Sequence, residues 1–238
     1  MAHVYAVAGG KGGVGKTTTA MHMASAFQAQ GEHVVLLDAD LAMSDLARQF
    51  DVPDDRTIHD VLAGDVALRH ATTELATGYG EGPGTLEVLP GSHDLEAFAR
   101  ADPAKLPPIV ERLRDRADVI VLDTGSGVSR DVAIPLGIAD RVVVVTTPVP
   151  TAISDTLNTI ELVDHVESGL AGVVIARFAN GESDETVLEE LDAPHLVTVP
   201  DIEADPDGAN IAFGELASEL GETAAADGGS SDRAAGDD

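Results

Sequence analysis

A glycine-rich segment, Gly9 to Thr18, lies between a predicted strand and a predicted helix, and it limits the fold more than any other feature of the chain. The run His3 to Ala8 is apolar and β-prone, and Lys16 to Gln30 carries apolar residues at helical spacing. The segment also fits the pattern of one glycine, four residues and then Gly-Lys-Thr. This order of strand, glycine loop and helix predicts an α/β fold with a loop that binds phosphate.

The residue types in this loop explain how it would hold a nucleotide. Glycines let successive backbone N–H groups turn inward toward phosphate oxygens, and the helix that begins near Lys16 adds the positive end of its dipole. Lys16 supplies a charge to the β- and γ-phosphates, and the Thr17 hydroxyl is suited to ligate Mg²⁺. The sequence thus predicts a nucleotide and Mg²⁺ as ligands, bound by Gly10, Gly12, Gly13, Val14, Gly15, Lys16, Thr17 and Thr18.

A second lysine in the loop, Lys11, is one more than phosphate binding needs. The chain has only three lysines, the third being Lys105, so two of the three within six residues indicate that both have a function. At this point the sequence resembles the MinD/ParA family of deviant Walker-A ATPases, whose loop reads Lys-Gly-Gly-x-Gly-Lys-Thr. The resemblance implies that Lys11 reaches across a dimer interface to the nucleotide of the partner, so that ATP holds a homodimer together.

Carboxylates follow two of the predicted buried strands. The strand His33 to Leu37 precedes Asp38 and Asp40, and the strand Asp118 to Leu122 precedes Asp123. Carboxyl ends of parallel strands face the ligand crevice, so we expect these side chains near the phosphates. Asp123 is predicted to ligate Mg²⁺ and Asp38 to hold the Mg²⁺ shell or Lys16, whereas the resemblance implies that Asp40 orients the attacking water. The predicted catalytic residues are therefore Lys11, Lys16 and Asp40, and the predicted metal ligands are Thr17, Asp38 and Asp123.

The segment after Asp123 departs from the family pattern. Relatives usually read Asp-x-Pro-Ala-Gly here, whereas this chain has Gly125 and Ser126, which makes the segment more flexible. Gly127 keeps the position from which a backbone N–H can reach the γ-phosphate. The resemblance therefore implies a γ-phosphate contact at Gly127.

Two further segments are predicted at the adenine end of the nucleotide site. The run Gly172 to Phe178 is typical of a strand, and near its end stands Arg177, where relatives often place an Asn or Arg against adenine. A surface arginine without a ligand is an equally good interpretation of Arg177. Pro200 and Asp201 follow the predicted strand Leu196 to Val199 and are expected to line the same pocket.

Strands alternate with helices from residue 3 to about residue 220, which predicts a single doubly wound α/β domain with a mainly parallel sheet and helices on both faces. The predicted P-loop ATPase domain spans 1–220, and 221–238 is predicted to be an acidic disordered tail. Further predicted elements are helices at Ser44 to Phe50, Thr57 to Ala63, Pro103 to Ala117 and Thr151 to Val166, a buried strand that begins at Arg141, and an irregular loop at Ala71 to Gly84.

The chain is strongly acidic, with 42 acidic and 14 basic residues and a formal net charge of −28. One interpretation is attraction to a basic partner. We favour adaptation to molar intracellular salt, where the Debye length falls to about 3 Å, because the acids are scattered along the chain rather than gathered in one patch. Residues 209–238 hold seven acidic side chains and one basic one, so a direct membrane anchor at the C-terminus is not expected. The chain has no cysteine and no evident secretory signal or membrane span, which predicts a cytoplasmic protein.

These features predict an ATP-dependent dimerising switch of MinD type that hydrolyses ATP slowly and signals to an unidentified regulatory protein partner. In the family, such switches position the division apparatus, surface appendages or cargo. A ParA-like partition ATPase shares the same motifs, but nucleic acid is an unexpected partner because only Arg112, Arg114 and Arg116 form a small basic strip. A metabolic P-loop ATP-dependent ligase and an ATP-bound scaffold with negligible hydrolysis are also compatible with the glycine loop.

Overall fold

The computed structural model describes residues 2–75, 82–177 and 183–231, and an eight-stranded sheet crosses these ranges in the order β3-β4-β2-β5-β1-β6-β7-β8. Neighbouring strands are parallel except β3 and β4, which are antiparallel. The strands are β1 (His3–Ala8), β2 (His33–Asp38), β3 (Thr73–Glu74), β4 (Thr85–Leu89), β5 (Val119–Asp123), β6 (Arg141–Thr146), β7 (Gly169–Arg177) and β8 (His195–Pro200).

Helices cover both faces of this sheet. Within the described ranges they are α1 (Lys16–Ala29), α2 (Leu46–Phe50), α3 (Ile58–Ala63), α4 (Leu95–Arg100), α5 (Leu106–Arg114), α6 (Arg130–Ile138), α7 (Pro150–His165), α8 (Asp184–Leu191) and α9 (Pro206–Ser231). Side chains from α1, α2 and α9 share one apolar core, and side chains from α3, α5, α6 and α7 share a second. The predicted doubly wound α/β fold is confirmed.

The central strands are buried on both faces, which explains their unbroken apolar runs. Tyr5 and Val7 of β1 belong to the core under α1 and α9, whereas Val4 and Ala6 belong to the opposite core. In a strand with two buried faces the side chains on both faces are apolar, so the sequence shows a continuous run of apolar residues rather than an alternation of apolar and polar ones. None of the helices in the described part of the chain is both long and apolar enough to cross a bilayer.

Several elements differ from the sequence prediction. The predicted helix Pro103 to Ala117 is a 3₁₀ turn followed by α5, which ends at Arg114. The predicted irregular loop Ala71 to Gly84 contains β3, and its residues 76–81 lie outside the described residues. The sequence prediction missed β4, α4, α6 and α8. In α6 the helical signal is masked because Pro135 and Gly137 stand inside the helix, and packing of its buried apolar side overrides their low propensity.

The C-terminal region also differs from its prediction. Helix α9 continues through the predicted boundary at Gly221 as far as Ser231, and Ala224 is still buried. Alanines after Gly221 are strong helix formers, so they extend a helix that is already anchored by its buried Leu216 and Leu220. The predicted disordered tail is therefore wrong for residues 221–231, and residues 232–238 lie outside the described residues.

Candidate functional site

Three adjacent strands bring the predicted site residues together at one edge of the sheet. In the pairing of β2 with β5, Asp38 lies opposite Asp123, and in the pairing of β5 with β1, Asp123 lies opposite Val7. The glycine loop leaves β1 directly after this point, at Gly9. Both carboxylates and the loop therefore meet because parallel strands end at the same edge.

The glycine loop wraps around the side chain of its own Lys16. Gly13 and Gly15 have φ angles of 78° and 99°, a left-handed conformation that a side chain would strain. Helix α1 begins directly after Gly15, so its N-terminal N–H groups point into the loop. Lys16 is buried, and its Nζ donates to the Lys11 carbonyl at 3.4 Å and to Ser126 Oγ at 2.5 Å.

The two residues that depart from the family pattern both contact functional side chains. The hydroxyl of Ser126 accepts the hydrogen bond from Lys16, so this departure places a polar group directly on the central ammonium of the loop. Gly125 lies beside Asp40, because a Cβ built on Gly125 would be 3.3 Å from Asp40 Oδ1. The same Asp40 oxygen accepts from the Met43 N–H at 3.0 Å. Gly125 and Ser126 thus line the space between Lys16 and Asp40.

Two buried carboxylates at the strand ends lack a full set of partners. Asp38 Oδ2 accepts from the N–H groups of Asp45 and Leu46, but Asp38 Oδ1 and Asp123 Oδ1 are buried and have no hydrogen-bond partner among the described residues. Burial raises the pKa of Asp38 well above its ordinary value, and the neighbouring charge of Asp123 raises it further. An orphaned buried carboxylate oxygen is costly unless a cation or donor reaches it.

Asp123 and Lys16 influence each other within the same buried region. Burial raises the pKa of Asp123 to about 7, although a hydrogen bond from the Thr17 hydroxyl and the charge of Lys16 both act to lower it. Burial also lowers the pKa of Lys16, against the opposing attraction of Asp123 and Asp40. One lysine therefore lies among three carboxylates, so this cluster carries more negative than positive charge when it is ionised and can bind a further cation.

These residues fit a Mg²⁺ ion that is completed by a nucleotide. The Thr17 hydroxyl and the orphaned oxygens of Asp38 and Asp123 are the hard oxygen donors that Mg²⁺ prefers. No cluster of three or more His, Cys, Asp and Glu suited to a metal occurs in the part of the chain that the structure describes. A Mg²⁺ ion here would take its remaining ligands from phosphate oxygens and water.

A cavity of about 990 Å³ extends from the glycine loop along the sheet edge. Its predicted lining residues are Gly12, Gly13, Gly15, Lys16, Thr17, Thr18, Asp40, Pro200 and Asp201. The sequence prediction missed Thr19, Ala42, Met43, Ser44, Asp45, Arg48, His93, Ser126, Ala176, Val199, Ile202, Glu203 and Phe213. Most of these lie in connections after strands, where neither periodicity nor a motif singles out individual residues; Ser126 could have been found from its place directly before Gly127.

Some predicted site residues lie outside this cavity. Gly10 packs against the backbone of Asp155, since a Cβ on Gly10 would lie 2.0 Å from its carbonyl oxygen, and Val14 is buried in the core. Gly127 is a left-handed residue with a φ of 81° and open space around its Cα. Arg177 forms an ion pair with Asp184 and does not line the cavity, although it pairs in register with Pro200, which does.

Lys11 differs from Lys16 in its surroundings. Lys11 is exposed, and its Nζ lies 3.5 Å from Thr151 Oγ1 at the start of α7. The side chain therefore does not enter the loop of its own chain, where Lys16 already occupies the centre.

Comparison with known proteins agrees with this fold. A family model described as the CobQ/CobB/MinD/ParA nucleotide-binding domain matches residues 5–214. The chain belongs to this family. The resemblance inferred from the loop is thus confirmed, and the matched range contains the glycine loop and all three carboxylates.

Three similar proteins show the range of proteins that this chain resembles. An uncharacterized ATP-binding protein of Methanocaldococcus jannaschii is 32% identical over 208 residues, which are 84% of this chain and 75% of that protein. The septum site-determining protein MinD complexed with Mg-ADP from Pyrococcus horikoshii has a TM-score of 0.84 and 27% identity, covering 94% of this chain and 98% of that one. Cobyrinic acid a,c-diamide synthase from Mycobacterium smegmatis, solved with ADP and magnesium, has a TM-score of 0.75 and 25% identity. The match covers 92% of this chain and 94% of that one.

The raised pKa of Asp123 predicts a pH-dependent stability of the nucleotide-free MinD/ParA-family protein. A carboxyl whose pKa is raised by folding favours the folded state at low pH, and this contribution is lost as pH rises from about 4 to about 7. Between pH 5 and pH 8 we expect Asp123 to cost about 3 kcal/mol of the free energy of unfolding. Asp123→Asn removes the titration, so the variant should gain stability relative to the wild type as the pH rises.

Urea unfolding in the presence of a chelator, at pH 5 and at pH 8, measures this difference. The exposed Asp54→Asn is the matched control, since it removes a carboxylate with no described partner, and its effect should be the same at both pH values. An equal effect of Asp123→Asn at the two pH values would contradict the assignment.

Proposed function

We propose that this MinD/ParA-family protein is an ATP-dependent switch of MinD type, which dimerises when it binds ATP and Mg²⁺ and hydrolyses the ATP slowly. The observation that carries the proposal is the contrast between its two loop lysines. Lys16 is buried and directed into its own loop, whereas Lys11 is exposed and directed away from it. A cation that is free to leave its own subunit is what neutralisation of a partner's phosphate requires.

The remaining residues of the site take roles that follow from their positions. The loop N–H groups, the N-terminus of α1 and Lys16 hold the phosphates. Thr17, Asp38 and Asp123 hold Mg²⁺, which supplies charge neutralisation between the phosphates. Asp40, at the rim of the cavity beside Gly125, orients the attacking water. Gly127 offers its backbone N–H to the γ-phosphate.

The far end of the cavity suits the adenine base. Its walls there are formed by Val199, Pro200, Ile202 and Phe213, which offer apolar contact to an aromatic ring. Arg177 is held by Asp184, so the adenine contacts in our proposal come from the Pro200 segment.

The switch proposal includes an unidentified regulatory protein as the partner that reads the nucleotide state. Like the septum site-determining protein that it resembles in fold, the protein would then control where a cellular machine is assembled. The division apparatus, a surface appendage and a cargo are the three classes of machine in this proposal.

Lys11→Ala is expected to abolish ATP-dependent dimerisation while leaving nucleotide binding within about threefold of wild type, because its side chain contributes nothing to its own loop. Lys16→Ala should lose both nucleotide binding and dimerisation, since it removes the central charge of the loop. Size measurement by light scattering with ATP and Mg²⁺, together with a nucleotide titration, separates the two outcomes. Arg56→Ala, which removes an exposed cation outside the cavity, is the control and should dimerise normally. A Lys11→Ala variant that dimerises as the wild type does would refute the switch.

A metabolic enzyme has one specific observation in its favour. The structural resemblance extends to cobyrinic acid a,c-diamide synthase, and that structure holds ADP and magnesium. In such an enzyme Lys11 would have no role across subunits, and turnover would require a small-molecule substrate. Wild-type protein that binds ATP, stays monomeric and shows no turnover without added substrate would favour a metabolic function.

A ParA-like function receives less support from the surface. The basic strip at the C-terminal end of α5 is partly neutralised, because Arg114 is bound by Asp140 and by the Ala2 carbonyl, and Arg116, just beyond the helix, is bound by Glu87. We therefore propose a protein that does not retain DNA nonspecifically. Retention of the ATP-bound form on duplex DNA at high salt would reverse this preference.

The surface charge supports a proposal about the environment of the protein. Exposed acidic residues occur on separate helices, including Glu161 on α7, Glu189 on α8 and Glu219 on α9. Such dispersed charge suits a cytoplasm of molar salt better than it suits one basic partner, which would require a local patch. A cytoplasm of this kind is the location that we propose for the protein.

A further inference from the structure

A second cavity lies between the C-terminal end of α3, the turn that follows it, and α5. Its volume is about 480 Å³, and it shares no lining residue with the nucleotide cavity. Small-molecule sites commonly have volumes of about 300 to 1,000 Å³. The cavity is therefore of a size that admits a small ligand independently of ATP.

The charge of this cavity is opposite to that of the chain. None of the 42 acidic residues of the chain lines the cavity. Four of the 14 basic residues line it, namely Arg69, Lys105, Arg112 and Arg116. In a chain of net charge −28, a random patch of surface would be acidic. Glu87 binds Arg116 from outside the lining, but the other three cations have no carboxylate partner among the described residues, so they repel one another and a bound anion would reduce this cost.

Two of these cations have no partner in the described structure. Arg69 and Arg112 are exposed, and neither forms an ion pair or side-chain hydrogen bond with any described residue. By contrast, Lys105 Nζ donates to the Leu62 carbonyl at 2.8 Å, and Arg116 is bound by Glu87. The cavity therefore has a fixed half and a half whose guanidinium groups are available to a ligand.

The Arg116 side chain adds a further unsatisfied donor. Its Nε is buried and has no hydrogen-bond partner among the described residues, although its NH2 group contacts both Glu87 and Thr72. A guanidinium presents its donors in a planar fork that matches the oxygens of phosphate, and three arginines line the same cavity.

The remaining walls are apolar. Val61, Val66, Leu68, Pro108 and Ile109 line the cavity beside the cations. An inorganic anion would leave these walls in contact with water, whereas a ligand with an apolar body would cover them. The combination is typical of a site that binds one charged group and one apolar group together.

From these features we propose that the cavity between α3 and α5 binds an organic phosphate, with the phosphate group on Arg69 and Arg112 and an apolar body against Val66, Leu68 and Ile109. The site is separate from the nucleotide cavity and does not depend on the proposed switch. No bond is formed or broken in it. Its ligand is a small molecule rather than a polymer, because the cationic groups line a concave space and not an extended stripe.

The test uses the full chain saturated with Mg-ADP, so that the nucleotide site is filled, in the lowest KCl concentration that keeps the fold intact. The probe is 1-naphthyl phosphate, and titration calorimetry measures its affinity and stoichiometry. We expect one probe molecule per chain and at least tenfold weaker binding of inorganic phosphate. Arg69→Gln and Arg112→Gln should each lower the affinity for the probe at least tenfold, because each removes a charge-assisted contact.

Arg56→Gln is the matched control, since it removes an exposed cation that lies outside both cavities, and it should leave the affinity unchanged. Arg69 and Arg112 form no ion pair or hydrogen bond within the described structure, so their variants should keep the wild-type melting temperature. Four results would overturn the proposal: no probe binding, equal affinity for inorganic phosphate, an equal loss in the Arg56→Gln control, or no loss in either cavity variant. If Arg69 and Arg112 bind duplex DNA or polyglutamate but the protein does not bind the probe, the small-molecule proposal is also wrong, and the cavity is part of a surface for a macromolecule.

Discussion

Asp40→Ala is expected to slow ATP hydrolysis by about 100-fold or more while the ATP-bound dimer accumulates, because a positioned group that handles the attacking water contributes rate factors of roughly 10² to 10⁴. Asp40 lines the nucleotide cavity, and its Oδ1 accepts from the Met43 N–H, outside the glycine loop, so only its charge acts on Lys16 of that loop. Its loss should therefore spare nucleotide binding. The measurement is phosphate release under single-turnover conditions, combined with light scattering of the same samples.

Two further variants make this prediction sharper. Asp40→Asn keeps an oxygen that can accept from the Met43 N–H but removes the charge, so it should be as slow as Asp40→Ala if the carboxylate acts on water. Asp45→Asn removes a carboxylate from the same connection, where it is bound by Arg48, and should retain most of the activity. Unchanged hydrolysis in Asp40→Ala would assign the water to another residue, and slow hydrolysis without a dimer would count against the switch.

Transfer from dilute buffer to molar KCl is expected to raise the melting temperature by roughly 10 °C or more, since screening removes the self-repulsion of a chain with a net charge of −28. The Debye length falls from about 10 Å at 0.1 M salt to about 3 Å at 1 M, so most pairs of surface carboxylates cease to interact. Calorimetry of the nucleotide-free protein over a KCl series measures this effect.

A charge-reduced variant provides the control. Replacing Glu161, Glu189 and Glu219 by glutamine removes three exposed carboxylates from three different helices, none of them in a described ion pair. This variant should melt at a higher temperature than the wild type in dilute buffer and should gain less from KCl. Sucrose at equal osmolality should not reproduce the effect of salt. A melting temperature that is flat across the KCl series would refute the proposed adaptation to molar salt.

The sequence determined the parts of the site that depend on local backbone chemistry. The glycine loop, the order of strand and helix around it, and the carboxylates after β2 and β5 could all be predicted, because each depends on residues that are close in the chain. The β1, β2 and β5 strands could be found for the same reason, as their double burial leaves an apolar run that needs no knowledge of the partner strand.

Elements with weak local signals could not be predicted. The five-residue strand β4 and the proline-containing helix α6 are held by their neighbours rather than by their own propensity. The extension of α9 past Gly221 likewise depends on the anchoring of its earlier turns in the core.

The sequence by itself determined that this chain has a glycine loop suited to phosphate, because close backbone approach and a left-handed φ require glycine at fixed spacing. Only the tertiary structure decided what surrounds that loop. It brought Ser126 to Lys16 and Gly125 to Asp40, it tied Arg177 to Asp184, and it gathered four scattered cations into one cavity. The physical reason is that side-chain contacts between residues distant in the chain depend on strand register and helix packing, which no local pattern encodes.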